Sequence, residues 1–176
     1  MKKRALLLTA LSLLTITTLA TAGNRPGAVT FTLGEGAYRF SPKRHLDSAG
    51  VPNVALAYDF DARWAAEANV GVINTDQQRY NKHGVHGFLY TLDGLYRFAP
   101  HGRFEPYVSA GVGLLSIAPS GVDSPDQTNI NAGIGTQWFA DKSIALRGEL
   151  RDLYTLSGGK NDLMLNLGVS FLFWGN

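Results

Sequence analysis

The feature of this sequence that most restricts its fold is an alternation of apolar and polar residues with a period of two. The alternation recurs in eight segments between residues 28 and 174. Each segment predicts a β-strand with one apolar and one polar face, because successive side chains on a strand point to opposite sides. The chain after its first 22 residues is therefore predicted to be all-β. The segments are 28–40, 53–60, 64–74, 86–98, 106–116, 129–139, 143–154 and 162–174.

The connections between these segments form a second pattern, because short turns alternate with longer polar loops. The turns lie at 61–63, 100–105 and 140–142, and the loops at 41–52, 74–85, 117–128 and 155–161. Three short turns on one side and four long loops on the other are typical of consecutive antiparallel strands. This pattern predicts an eight-stranded up-and-down barrel.

The amino-terminal segment, residues 1–22, has the composition of a cleavable signal peptide. Lys2, Lys3 and Arg4 precede an apolar run that ends at Leu19, and small residues follow it. We therefore expect an exported chain with a single domain over residues 23–176. The three leading cations are part of the 16 Lys and Arg, so 13 cations face 14 acidic residues in the rest, which gives no indication of nucleic-acid binding.

The polar face carries charges and many glycines, which suits the narrow interior of a transmembrane barrel better than the surface of a soluble one. A soluble ligand-binding barrel, with its apolar face inside, is the structural alternative. Buried charges need partners. We expect Glu67 to pair with Arg97, and Asp93 with Glu149 to neutralise two further arginines. The predicted lumen charge network comprises Glu67, Asp93, Arg97, Arg147, Glu149 and Arg151.

Aromatic residues cluster at the strand ends and leave the strand centres to aliphatic residues. Two such groups are expected where a barrel meets two membrane interfaces. The group near the short turns comprises Tyr58, Phe60, Trp64, Tyr96, Phe98, Phe104, Tyr107, Trp138, Phe139, Phe171, Phe173 and Trp174. The group near the long loops comprises Tyr38, Phe40, Tyr80, Phe88, Tyr90 and Tyr154.

The last segment resembles the C-terminal assembly signal of bacterial outer-membrane barrels, and the residues that carry the resemblance are Asn166, Gly168, Phe171 and Phe173. Residues 28–174 as a whole resemble the OmpA-like small outer-membrane β-barrel domain family, most clearly over 86–115 and over the last two segments, 143–154 and 162–174. The resemblance implies a Gram-negative outer-membrane location and recognition of the terminus by the barrel assembly machinery. In this family a peptidoglycan-binding domain often follows the barrel, and we expect none here because the sequence ends with the eighth segment.

An enzymatic role is the least favoured of three functional hypotheses. Some eight-stranded barrels of this kind modify lipid A, but His45, His83 and His86 lack a nucleophile motif beside them, and His101 lies in the opposite turn. Their spacing is also not that of a metal site. We expect no catalytic residues, no metal and no cofactor.

The favoured hypothesis is a structural or interaction protein of the outer membrane that supports the integrity of the cell envelope. A narrow channel for small solutes or ions is the alternative. The expected partners are membrane lipid, lipopolysaccharide and the assembly machinery. We expect the barrel to be monomeric, and its loops to be available to external partners. The residues expected to contact lipopolysaccharide phosphates are Arg39, Lys43, Arg44, Arg79 and Lys82.

Overall fold

The computed structural model describes residues 25–76, 84–119 and 126–173. Eight strands follow one another along the chain: β1 Val29–Arg39, β2 Ala49–Asp59, β3 Trp64–Asp76, β4 Gly84–Arg97, β5 Phe104–Pro119, β6 Gln127–Asp141, β7 Ile144–Thr155 and β8 Lys160–Phe173. A 3₁₀ helix, Pro42–Arg44, lies between β1 and β2. In the described part of the chain, no helix has the length and apolar content needed to cross a membrane.

The strands form a closed barrel in chain order, and every neighbouring pair is antiparallel. Closure occurs between the first and last strands, where Val29 of β1 lies opposite Phe173 of β8. The predicted up-and-down topology is therefore confirmed. Closure also pairs the backbone of β1 and β8, which would otherwise be exposed edges.

The register of the strands sets the tilt and width of the barrel. A row of paired residues that starts at Val29 passes through Tyr58 and returns to β1 at Arg39, ten residues further along. A shift of this size in eight strands corresponds to a tilt of roughly 40°. The bore of such a barrel is narrow enough for side chains to fill.

Most strand boundaries lie within a few residues of the predicted ones, and the largest difference is at β2. This strand begins at Ala49, not at residue 53, and includes Gly50 and Pro52. Both residues are typical of turns. Pro52 is nevertheless tolerated, because it precedes Asn53, the first residue of β2 that pairs with β3. Its missing N–H therefore leaves no ladder bond between those two strands unmade.

The two faces of the barrel differ as the alternation predicts. The outward side chains at mid-strand are apolar and exposed, for example Leu92 at 60% and Leu167 at 61%. The inward face carries charge, and Glu67 is only 1% exposed. An apolar surface turned outward on every strand is the arrangement of a barrel that faces lipid.

Several aromatic residues at strand ends face inward, contrary to the prediction. Tyr38, Phe40, Tyr107 and Phe139 are buried inside the barrel, because their positions have the parity of the inward residues on their strands. Tyr80 and Trp174 lie outside the described residues. The outward aromatics form the two expected bands. The band near the short turns includes Tyr58, Phe60, Trp64, Tyr96, Phe98 and Phe104, and the band near the long loops includes Phe88, Tyr90 and Tyr154.

The half of the lumen nearer the long loops is filled by apolar side chains. The sequence-based prediction does not include this upper apolar layer, because it describes the inward face as small, polar or charged throughout. The members of the layer pack as one buried cluster. The larger group of buried charges lies in the half nearer the short turns, and one further buried pair, Arg44 with Asp162, lies at the loop end. The layer comprises Tyr38, Phe40, Ala49, Val51, Ile73, Val85, Leu89, Leu115, Ile117, Leu153 and Met164.

Candidate functional site: the lumen and the loop end

Arg147 on β7 reaches across the bore of the barrel. Its guanidinium forms two hydrogen bonds with Glu67 on β3, one of them from Nη2 to Oε1 at 2.9 Å. Nη2 also donates to Oε2 of Glu149 at 2.7 Å, and Nε donates to the Tyr107 hydroxyl at 2.6 Å. Because β3 and β7 lie on opposite sides of an eight-stranded barrel, this contact bridges the lumen.

Arg151, four residues nearer the long loops than Arg147 on β7, contacts Asp93 and Glu149. Its Nη1 lies 2.6 Å from Oδ2 of Asp93 on β4, and its Nη2 lies 2.8 Å from Oε1 of Glu149. Hydroxyl groups complete the shell, since Thr91 donates to Asp93 and Ser109 donates to Glu149, each at 2.8 Å. All of these ionic side chains are at most 5% exposed.

The resulting lumen charge network holds three carboxylates and two guanidinium groups. Glu149 is its centre, because it contacts both Arg147 and Arg151. The hydrogen bonds from Tyr107 and Ser109 to Glu149 stabilise the additional negative charge. Removal of either cation would leave three buried carboxylates with a single guanidinium group.

The sixth predicted member, Arg97, belongs to a separate group, and its expected pairing with Glu67 is wrong. Arg97 lies 2.6 Å from Asp59 and 3.5 Å from Glu105. The register explains the difference, because the residue of β4 opposite Glu67 is Asp93. Arg97 is four residues nearer the short turns, where it meets the ends of β2 and β5.

The upper end of the lumen is closed by Arg44, the last residue of the 3₁₀ helix. Its side chain is only 3% exposed and forms an ion pair with Asp162 of β8 at 2.8 Å. It also donates to Gln127 at 2.7 Å and to Thr155 at 2.6 Å. Asp162 additionally accepts hydrogen bonds from the Ser41 backbone N–H and the Tyr38 hydroxyl.

Comparison with known proteins identifies the group to which this barrel belongs. A family model described as the outer membrane protein β-barrel domain matches residues 6–173. The chain is a member of this family. As an outer-membrane β-barrel it spans the membrane with its eight strands, so its outward apolar face contacts lipid. No curated protein matches the sequence significantly.

Solved structures of other small outer-membrane barrels share the fold of this family member. The N-terminal β-barrel domain of Pseudomonas aeruginosa OprF has 23% identity and a TM-score of 0.66, over 85% of this chain and 100% of that one. OprG from the same organism has 14% identity and a TM-score of 0.65, over 86% and 98%. Ail, the attachment invasion locus protein of Yersinia pestis, has 15% identity and a TM-score of 0.59, over 84% and 99%.

In this outer-membrane barrel the four residues of the predicted assembly signal all lie on β8, which closes the barrel. Asn166 points inward and exchanges amide hydrogen bonds with Asn53. Gly168 is close to the backbone of β1, since an ideal Cβ on it would lie 2.7 Å from the Leu33 carbonyl oxygen. Phe171 and Phe173 have the outward parity, so the signal has one polar and one lipid-facing side.

The five cations expected to contact lipopolysaccharide do not share one environment in the outer-membrane barrel. Arg39 is exposed at the end of β1, and Lys43 is exposed while it donates to the Gly159 carbonyl oxygen at 3.0 Å. Arg44 is buried, so its expected contact with lipopolysaccharide is wrong. The cause is the ion pair with Asp162, which draws it into the lumen. Arg79 and Lys82 lie outside the described residues.

Sequence reasoning missed two acidic residues on the outward side of the barrel, Glu35 of β1 and Asp152 of β7. Glu35 of β1 has the outward parity of Phe31 and Leu33, and it is exposed. The signal for it was available, because a carboxylate at an apolar position of the alternation is an exception to the pattern. What Glu35 can bind depends on the residues of β2 and β8 beside it, and the sequence alone does not show which residues those are.

Proposed function

We propose that this protein is a structural component of the outer membrane whose lumen is sealed, and that it supports the envelope as a monomeric barrel without catalytic chemistry. The observation that carries the proposal is the bridge between Arg147 and Glu67 across the bore. The upper apolar layer adds a second obstruction above it. An ion would have to break buried charge pairs and then cross a layer lined mainly by apolar side chains, which solvate an ion poorly.

Conductance in planar bilayers tests the sealed lumen against the alternative of a narrow channel. We expect the purified protein to show no stable channels. A Glu67→Ala/Arg147→Ala variant that also carries Leu115→Ala opens both layers and is expected to leak. Large, stable channels from the unmodified protein would contradict the proposal and favour the channel.

We further propose that exposed cations at the loop end bind lipopolysaccharide phosphates. The support is the exposure of Arg39 and Lys43 at the rim nearest the long loops. Arg79 and Lys82 remain in the proposal because in the sequence they fall between the end of β3 and the start of β4, whereas Arg44 leaves it. Guanidinium and ammonium groups are suited to phosphate recognition.

Binding of purified lipopolysaccharide to charge-neutralised variants tests this contact. Arg39→Gln/Lys43→Gln is expected to weaken binding, and the effect should shrink at high salt. A matched control neutralises two exposed cations at the opposite rim, Arg63→Gln/Lys142→Gln, and should leave binding unchanged. Equal binding by both double variants would remove lipopolysaccharide contact from the proposed function.

A further inference from the structure

Glu35 is an exposed carboxylate on the outward face of β1, as Asp152 is on β7. Val29, Phe31 and Leu33 precede it on the outward face of β1, and Ala37 and Arg39 follow it. Within the described residues, its carboxylate has no hydrogen-bond or ion-pair partner. A charged group on the lipid-facing side of a barrel lowers stability in a depth-dependent way. A partner that supplies hydrogen-bond donors at this depth would offset that cost.

A groove on the outer surface surrounds Glu35. It has a volume of about 490 Å³ and lies where β1, β2 and β8 meet. Leu165 and Leu167 form an apolar wall, and Gly50 leaves space in its floor. The Glu35 side chain extends over that glycine, since Oε1 lies 2.7 Å from where an ideal Gly50 Cβ would be. Arg39 lines the end of the groove nearest the loops.

The two charges lie at different depths. Arg39 is the last residue of β1, at the loop-side rim. The Glu35 carboxylate lies beside Gly50, whose partner on β1 is Ala37, two residues below Arg39. Each residue of a strand tilted by roughly 40° adds about 2.5 Å of height. The groove therefore presents a cation at the loop-side rim and an acceptor about 5 Å nearer the strand centres.

We propose that this groove binds a phosphorylated, N-acylated glycolipid of the lipid A class. A phosphate pairs with Arg39, and the amide N–H or hydroxyl groups at the roots of the acyl chains donate to Glu35 below it. One acyl chain lies along Leu165 and Leu167. The inference deepens the proposed function, because it rests on lipopolysaccharide contact at this rim and assigns to that contact a site that distinguishes one lipid from another.

Complementarity of hydrogen bonding selects this lipid over glycerophospholipids. Below their phosphates, glycerophospholipids carry ester carbonyls, which are acceptors and repel a carboxylate. The groove is also a poor match for a second copy of the chain. A two-fold axis along the membrane normal keeps every residue at its own depth, so Glu35 would face Glu35.

The test uses the whole barrel in detergent, with an equimolar mixture of lipid A and cardiolipin, and measures bound lipid by native mass spectrometry. Cardiolipin is the matched probe, since it has phosphates and several acyl chains but ester linkages only. We expect the unmodified protein to bind lipid A roughly tenfold more tightly than cardiolipin. This is the size of effect that one hydrogen bond to a charged acceptor gives. Glu35→Leu should bind both lipids about equally. It should also fold, because it places an apolar residue against lipid.

Asp152→Leu is the matched control, because Asp152 is another exposed, outward carboxylate but does not line the groove. It should keep the preference for lipid A. Equal binding of the two lipids by the unmodified protein, or an unchanged preference in Glu35→Leu, would overturn the inference. Arg39→Gln should lower the total lipid bound and keep the ratio. Unchanged total binding would instead count against the proposed function.

Discussion

The two halves of the lumen exclude water by opposite means. The half nearer the short turns holds the charge network around Glu149, in which each charge is stabilised by specific partners. The half nearer the long loops holds the upper apolar layer, where apolar packing fills the bore below the Arg44–Asp162 pair. Loss of one partner in the network leaves a buried charge, whereas loss of one apolar side chain leaves a cavity. The lower half should therefore be more sensitive to single substitutions.

The largest effect is expected in the lower half, from Arg147→Ala. This change removes the cation that contacts both Glu67 and Glu149. Breaking a buried pair from one side costs about 3–5 kcal/mol in free energy of unfolding. Urea titration of the barrel in lipid vesicles measures it.

A double variant, Glu67→Leu/Arg147→Leu, is the control for the network, because it removes both partners of one bridge. It should be more stable than Arg147→Ala alone. If the single variant is as stable as the unmodified barrel, the network does not stabilise the fold and the contrast between the two halves fails.

In the upper half, Leu115→Ala should cost about 3 kcal/mol in free energy of unfolding. Leu115 is 1% exposed and packs in the apolar layer, so its truncation creates a cavity that neighbours fill only partly. The same urea titration applies, with Leu115→Met as a volume-conserving control that should cost less. A larger loss than for Arg147→Ala would reverse the order of the two halves.

At the upper rim, Arg44→Gln should cost less than Leu115→Ala, about 1–2 kcal/mol in free energy of unfolding. The effect is smaller because Asp162 keeps its hydrogen bonds from Ser41 and Tyr38. Lys43→Gln is the control, since its exposed side chain makes a single backbone contact. Hydrogen exchange of the β1–β2 loop should increase in Arg44→Gln only. Equal exchange in both variants would show that Arg44 does not hold the loop.

The smallest effect is expected at the short turn between β2 and β3. Hydrogen bonds from the backbone N–H groups of Arg63 and Trp64 lower the pKa of Asp61 from its ordinary value of 3.8. A carboxyl with a lowered pKa in the folded state stabilises the fold above 3.8, and that contribution is lost as the pH falls below it. Asp61→Asn should therefore reduce the acid dependence of unfolding, measured between neutral pH and pH 3. An unchanged acid profile would contradict this role.

Much of the fold follows from the period-two alternation, because in a membrane the outward face of every strand meets the same apolar solvent. The strands, their order and the outward position of Leu92 and Leu167 were all predictable. The length of β2 was not, since Gly50 and Pro52 are typical of turns. Whether they belong to a strand depends on which neighbour is present to pair with them.

The candidate site was less predictable, because its contacts cross the barrel. The charged residues could be chosen from the inward face, but the partner of Glu67 depends on register and on which strands lie opposite each other. The burial of Arg44 depends on Asp162, a residue more than one hundred positions away. Inward apolar residues such as Val51 and Leu115 follow the parity of the alternation, but their type does not show that they pack together.

The ten-residue shift between Val29 and Arg39 has a consequence for how this chain tolerates insertions. Ten is an even number, so a row that begins on an outward residue returns to an outward residue after one circuit. An odd shift would bring an inward side chain into an outward row. A single inserted residue in mid-strand must therefore be absorbed by a bulge, as at Phe139 and Asp141 near the end of β6. Length changes should be tolerated by the loops and at strand ends, but not at strand centres.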